Sequence, residues 1–331
     1  MIEQNYNTNI LPCNDENIKI AAKLLSDGEI VAIPTETVYG LAADATNPEA
    51  VAKIFKAKGR PQDNPLIVHI SSPDEIERYA TEIPDLAYKL FEEFSPGPLT
   101  IILKKREIIP RVTSGGLNTV GIRIPDNEYI RRLIKLLGKP LAAPSANISG
   151  YPSPTEANHV KTDLDGKIPL ILDGGVCRAG LESTVITIKD EQASILRPGV
   201  ITAEDLSRFC EVAYDKGVFE SITPEKAQSP GMKYKHYAPK CEITLVKGTF
   251  EHFKNFLKQN GGKDFFAAVP DGFDTEYPNT ITYEANNLFS LLRKADDDGI
   301  KKIWFFIPES GVDVAVYNRL VRAAGFRILE V

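Results

Sequence analysis

Apolar residues over the first two hundred positions come in short runs whose period switches between strand-like and helical. Residues 15–27 put Ile18, Ala21, Ala22 and Leu25 on one helical stripe, and Gly28 ends it. A short apolar strand over 29–33 leads into the stretch 33–70, IPTETVYGLAADATNPEAVAKIFKAKGRPQDNPLIVHI, which reads as strand, polar loop, helix, basic loop and strand. Asn47 is the expected N-cap and Pro48 the first helical residue. Val51, Ile54 and Phe55 form the apolar face, Gly59 ends the helix, and Pro61 forbids its return. His69 sits on the following strand between Val68 and Ile70. Further on, the pattern predicts helices over 73–80, 84–94 and 129–137, and a strand over 99–103 behind the stiff turn SPGP. In the strand 119–124, Val120, Ile122 and Ile124 share one face and Gly121 and Arg123 the other. Strands over 170–173 and 185–188, a strand end at 195–199 and a Thr202-capped helix over 202–210 complete this part.

The pattern lapses from 213 to 239 and resumes differently. Strand-like runs at 241–246, 265–269, 279–283, 302–307 and 327–331 alternate with helical segments at 250–259, 288–297 and 312–324. That alternation predicts a small, Rossmann-like α/β unit with a mainly parallel sheet. The chain therefore divides into an α/β domain over 1–211, a linker over 212–239 and a second domain over 240–331, with no internal repeat between the two.

Composition narrows the class. A 331-residue chain that is 43% hydrophobic can bury two cores and is not a disordered protein. A net charge of -6 does not suit a general nucleic-acid coat, although a local basic cleft is compatible with it. Cys13, Cys177, Cys210 and Cys241 are scattered, with no CxxC pair and no zinc spacing, so reduced thiols in a cytoplasmic protein are expected. The first residues lack the charged region and apolar core of a signal peptide, and no run reaches the roughly 20 apolar residues of a membrane span.

The candidate chemistry concentrates in loops. Lys58, Arg60 and Asn64 project from a helix end into a Pro-bounded loop. In an open α/β sheet such groups are expected near strand ends, where ligands bind. Arg123, on a strand interior, either snorkels to the sheet edge or binds an anion. Ser145, Asn147 and Ser153 lie in the loop that follows LAAP, where hydroxyls, an amide and backbone N–H groups can hold phosphate or act as plain turn formers. Arg197 stands at a strand end before a Pro-Gly turn. There is no GxxxxGK[ST], no GxGxxG after the first strand and no GxSxG elbow. The set Lys58, Arg60, Arg123 and Arg197 suits a triphosphate and the charge moving toward a leaving pyrophosphate. The segment SPGMKYKHYAPK, with Lys233, Tyr234, Lys235, His236 and Tyr237, reads as one that docks on something. Glu36, the only acid of the PTETVYGL motif, stays open between base, metal ligand and structural acceptor.

Taken in order, PTETVYGL, KGRPQDNPL with VHI, SPGPLT, RIP, APSAN, ESTV, LRPG and PGMKYKHYAP resemble the Sua5/YrdC family, the L-threonylcarbamoyladenylate synthases. The linker motif and the following domain resemble the longer, two-domain Sua5 form. The resemblance implies an N-terminal open, twisted mixed sheet with helices around a concave cleft. It implies a nucleotidyl transfer that makes threonylcarbamoyl-adenylate and pyrophosphate from ATP, L-threonine and bicarbonate. The product then passes to a separate tRNA threonylcarbamoyl-transfer system for N6-threonylcarbamoyladenosine at position 37; direct tRNA contact stays open.

By motif, Lys58 and Arg60 would be the catalytic cations. With Asn64, Thr119, Ser145, Asn147, Ser153, Arg197 and Tyr237 they would bind ATP. Thr37, His69, Arg123, Ala143 through its backbone, and Ser183 would surround threonine, with Arg123 on its carboxylate. Tyr237 in the ATP site would make the linker a lid over a water-sensitive intermediate. Magnesium is expected through the ATP phosphates, with no metal ligands on the protein and no organic cofactor. Two alternatives are a non-catalytic module binding double-stranded RNA or the ribosome, and a carbamoyl-transfer domain like that of hydrogenase maturation proteins.

Overall fold

The computed structural model describes residues 6–220, 237–262 and 265–331. Lys233, Tyr234, Lys235 and His236 of the docking segment lie outside the described residues. The chain forms two compact units, Met1–Ser149 with Ser153–Lys233, and Gly150–Pro152 with Tyr234–Val331.

Among the described residues of the first unit, twelve strands join in one mixed sheet: β1 (Asn9–Pro12), β2 (Val31–Ile33), β3 (Gly40–Asp44), β4 (Ile67–His69), β5 (Ala80–Thr81), β6 (Leu99–Lys105), β7 (Thr119–Arg123), β8 (Leu141–Ala142), β9 (Leu170–Asp173), β10 (Thr184–Lys189), β11 (Gln192–Arg197) and β12 (Val212–Tyr214). Their order is β1-β9-β2-β3-β8-β4-β7-β6-β10-β11-β12, with β5 beside β6. At the centre β4 runs parallel to β7, β6 antiparallel to β7, and β10 parallel to β6.

This register sorts the side chains of the central strands onto two faces. Val68, Ile122 and Ile101 stand side by side in the main core. On the opposite face Ile67, Gly121 and Ile102 make one rank, and His69, Arg123 and Thr100 the next. The apolar part of that second face is small: Ile67, Val185 and Leu196, with Ile102 packed against them. Over these central strands one face thus carries the main core and the other carries chemistry, and beyond Leu141, the register partner of His69, the second face continues into a core of its own with Val31, Ile33 and Leu172.

The helix Pro48–Lys58 forms as its sequence dictates. Asn47 Oδ1 accepts from the amides of Glu49 and Ala50, Val51, Ile54 and Phe55 are buried, and Gly59 takes the left-handed conformation at φ 63°. Thr202 and Asp205 make a reciprocal capping box for the helix Ala203–Ser207.

Several elements depart from the sequence expectation. β3 lies between the PTET loop and the helix, where only loop was expected; its residues GLAAD are small and buried, so no alternation announces it. The helix Ala157–Leu164, ANHVKTDL, carries too few apolar residues to stand out. β12 pairs in parallel with β11, so the first sheet reaches past residue 211 into the stretch expected to be linker. The segment 73–80 is a 3-10 turn, Pro73–Glu75, followed by a single α-helical turn, Ile76–Tyr79.

The second unit holds β13 (Glu242–Gly248), β14 (Phe265–Pro270), β15 (Thr280–Tyr283), β16 (Lys302–Pro308) and β17 (Ile328–Glu330), in the order β15-β14-β16-β13-β17. Every pairing is parallel. Val246, Phe253, Leu257, Phe265, Val269, Trp304 and Phe306 pack into its own core. The acidic run 296–298 is structural: Asp296 accepts from the amides of Lys240 and Cys241, and Asp298 pairs with Lys294. Among the described residues no helix is long and apolar enough to cross a membrane.

Candidate active site

The two cations of the basic loop after the helix Pro48–Lys58 are buried rather than solvated. Lys58, the helix's last residue, is 2% exposed. Its ammonium donates to the carbonyl oxygens of Ser145 at 2.5 Å and Asn147 at 2.6 Å, with Asn147 Oδ1 at 3.4 Å. Lys58 thereby fastens the Ser145–Asn147 loop, which is also bridged to Gly40 at the start of β3. Arg60 folds back over its own loop, its Nη2 donating to the carbonyls of Pro65 at 3.1 Å and Asn64 at 3.4 Å. Asn64 is 1% exposed, and neither its amide nitrogen nor its amide oxygen has a hydrogen-bond partner. A buried amide with four unused hydrogen-bonding positions is costly and marks a place made for a polar ligand. The loop is held from behind by Gly115, where a Cβ would come within 2.9 Å of the Asp63 carbonyl oxygen and the Pro65 nitrogen.

The second group lies on the open face of the sheet. Arg123, His69 and Thr100 are register neighbours on β7, β4 and β6. Arg123 is buried and does not snorkel: its Nη2 donates to Glu36 Oε1 at 2.7 Å and to Thr37 Oγ1 at 2.9 Å, and its Nε reaches the Gly97 carbonyl at 3.3 Å. The anion it binds in this structure is the carboxylate of Glu36, which gives that residue its assignment. Gly121, two residues earlier on the same face, keeps the floor low; a Cβ there would sit 3.0 Å from Thr100 Cγ2. Thr35 ties down the PTET turn, with its hydroxyl 2.8 Å from that of Thr37 and donating to the Val38 carbonyl at 2.7 Å. His69 is 2% exposed, and burial together with the Arg123 charge lowers its pKa to about 3, so the ring is neutral. Its Nδ1 is buried without a partner, as are Glu36 Oε2 and Ser95 Oγ.

A third group links the two. The Ser183 hydroxyl lies 2.8 Å from Thr100 Oγ1, and Arg197, at the end of β11, donates to Ser183 Oγ and to the Ser183 carbonyl, both at 3.1 Å. Ser153 Oγ donates to Glu182 Oε1 at 2.5 Å. The LRPG turn fits against this segment only because residue 199 is glycine: a Cβ there would meet Thr184 N at 2.5 Å and Glu182 O at 2.6 Å.

The structure therefore brings Lys58 to Ser145 and Asn147, Arg60 to Asn64, Thr37 and His69 to Arg123, and Ser183 to Arg197. The arrangement differs from a site at strand carboxyl ends, because Asn64 precedes β4 while His69 ends it. Ala143 already donates its backbone N–H to the Ile67 carbonyl at 3.0 Å, so only its carbonyl is left to meet a ligand. Thr119 is half-buried at the far end of β7, four residues from Arg123, or about 13 Å at the usual strand rise. Tyr237 is buried within the second unit, its ring stacked on Phe289 at 5.2 Å and beneath the Arg319 guanidinium at 5.5 Å. Sequence reasoning missed Thr100, Glu182 and Ser95. Thr100 and Ser95 lie in the motif SPGPLT, whose other residues drew attention only as a stiff turn.

Residues 23–199 match the Sua5_yciO_yrdC family model, described as telomere recombination, and residues 201–325 match the threonylcarbamoyl-AMP synthase C-terminal domain. A Pyrococcus abyssi protein named threonylcarbamoyl-AMP synthase is 43% identical over 326 residues, 95% of this chain and 96% of its own length. The chain belongs to the Sua5/YrdC family.

The Bacillus subtilis member of the same name is also 43% identical, over 98% of this chain and 97% of its own. The crystal structure of P. abyssi Sua5 complexed with L-threonine superposes with a TM-score of 0.86 at 41% identity, covering 98% of both chains. A shorter Sua5/YrdC protein from Methanocaldococcus jannaschii, named putative threonylcarbamoyl-AMP synthase, is 39% identical over 58% of this chain and 89% of its own.

Proposed function

We propose that this chain makes threonylcarbamoyl-AMP from ATP, L-threonine and bicarbonate, releasing pyrophosphate, and that its product passes to a separate tRNA threonylcarbamoyl-transfer system in the cytoplasm. The observation that carries the reading is the full-length match: relatives of that name share 43% of residues across both units. The geometry supports it with two neighbouring sets of buried polar groups, one cationic around an unpartnered amide and one that can meet both ends of an amino acid.

In this reading the threonine nitrogen bonds to the carbon of bicarbonate to form a carbamate, the bicarbonate hydroxyl leaving as water with one ammonium proton and a second proton passing to solvent. A carbamate oxygen attacks the ATP α-phosphorus, and the bond from that phosphorus to the bridging oxygen breaks as pyrophosphate leaves. The protein supplies position and charge rather than a nucleophile. Arg60, Asn64 and Arg197 meet phosphate oxygens. Lys58 neutralises the same region while it holds the loop carrying Ser145 and Asn147, and Ser153 completes the nucleotide side. Thr119 and Tyr237 are the remaining candidates for ATP contact. Thr37, His69, Arg123, Ser183 and the Ala143 carbonyl surround threonine. Arg123 turns Nη1 to its carboxylate, since Nη2 and Nε already have protein partners.

Magnesium enters with ATP. In this reading its ligands are phosphate oxygens and water. The test is exchange of labelled pyrophosphate into ATP with magnesium present. Exchange that requires both L-threonine and bicarbonate is expected; a purified protein that binds ATP without such exchange overturns the reading.

A further inference from the structure

We infer that Glu36 is the residue that recognises the amino group of the amino-acid substrate, its Oε2 accepting an N–H from the ammonium while Arg123 takes the carboxylate. The inference rests on the threonine reading above and adds a residue to it.

Three observations lead there. Glu36 is 7% exposed, yet only one of its carboxylate oxygens is used: Oε1 accepts from Arg123 Nη2 at 2.7 Å, and Oε2 is buried with no partner. A buried carboxylate that only holds an arginine in place frequently sets both oxygens on the guanidinium fork, because a buried lone pair left unmet is costly. Arg123 is engaged in a complementary way. Its Nη2 and Nε have protein partners, and Nη1 has none among the described residues. The pair therefore offers one acceptor and one donor side by side, of opposite charge. Lastly, the other unmet groups nearby are neutral. His69 Nδ1 sits on the strand beside Arg123, and Ser95 Oγ is two residues from the carbonyl that Arg123 Nε contacts.

A zwitterion matches this set. Its carboxylate needs a cation, its ammonium needs an anion, and the threonine hydroxyl needs a neutral partner. Without Glu36 the threonine side of the site holds Arg123 as its only formal charge among Thr37, His69, Ser183 and Ser95. It would then bind a carboxylate regardless of what stands at the α-carbon. Specificity for an α-amino acid needs an acceptor whose burial punishes a ligand that lacks the amine.

The experiment compares L-threonine with (R)-3-hydroxybutyrate, which is threonine without its amino group, by isothermal titration of the full chain. The wild-type protein is expected to bind threonine at least about tenfold more tightly than the analogue. In Glu36→Gln the threonine Kd should rise about tenfold to a hundredfold, while the analogue, whose carboxylate meets an Arg123 freed of its partner, binds no more weakly than before and ATP keeps its wild-type affinity. If threonine and the analogue weaken equally, or threonine binds as well as before or better, Glu36 only orients or competes for Arg123 and the inference is overturned. Should Glu36→Gln fail to fold, the wild-type comparison stands alone, and equal affinity for the two ligands overturns it. A wild-type protein that binds no threonine at all refutes the threonine reading itself, which keeps the two failures distinct.

Discussion

Arg123 and Glu36 are 87 residues apart in the chain and meet at 2.7 Å in the interior. Their energetics are asymmetric. Removing one partner leaves the other as an uncompensated buried charge, which costs about 3–5 kcal/mol, whereas removing both costs much less. Arg123→Ala should therefore lower stability by that amount, and the double variant Arg123→Ala/Glu36→Gln should regain part of it in denaturant unfolding. A double variant no more stable than Arg123→Ala would show that the pair is not coupled. In pyrophosphate exchange, Arg123→Ala should raise the threonine KM far more than the ATP KM; equal losses would remove the residue from the threonine side.

His69 adds a pH dependence. Its pKa is about 3 in the folded protein against about 6.5 unfolded. The unfolded chain therefore binds the extra proton, and folded stability is complete above about pH 6.5 and declines as pH falls toward 3. His69→Gln should flatten that decline by on the order of 1–2 kcal/mol at pH 5, read from urea midpoints at pH 5 and 7.5.

At the scale of elements, the site depends on close backbone approaches. Gly199 lets the LRPG turn lie on the Glu182–Thr184 segment, and this contact delivers Arg197 to Ser183. Gly199→Ala should push the turn away, cost about 1–3 kcal/mol in stability, and raise the ATP KM more than that loss explains, because Arg197 moves with the turn. An unchanged ATP KM would show that the turn does not place Arg197 for the nucleotide. This scale also shows what can be read from a chain before it folds. The Asn47 cap, the Gly59 stop and the Val51, Ile54 and Phe55 stripe were legible because each rests on neighbours within a few residues. β3 was not, since Ala and Gly buried on both faces carry no period. The place of Thr100 beside the candidate site was hidden for another reason: it arises from pairing with Arg123 and a hydrogen bond to Ser183, 83 residues on. The family motifs pointed to most of the candidate site residues, but not to Glu36's partner, which only the fold supplies.

At the scale of the molecule, the two units can be tested apart. Every proposed threonine contact lies within residues 36–183, in the first unit's sheet and loops, and the shorter M. jannaschii relative matches 58% of this chain. The second unit has its own parallel sheet and its own aromatic core around Trp304, the only tryptophan in the chain. A fragment of residues 237–331 should therefore unfold cooperatively in urea, with the blue-shifted tryptophan emission of a buried indole, and should support no threonine-dependent pyrophosphate exchange. A fragment of residues 1–220 should keep L-threonine affinity within about threefold of the full chain, since it retains all the groups proposed to touch the amino acid. ATP affinity is the sharper comparison. If Tyr237 contacts the nucleotide, the fragment should bind ATP about tenfold more weakly or worse, because loss of one buried aromatic contact is worth roughly that much. Equal ATP binding by fragment and full chain would take Tyr237 out of the nucleotide site and leave it as the core residue that its packing on Phe289 already makes it.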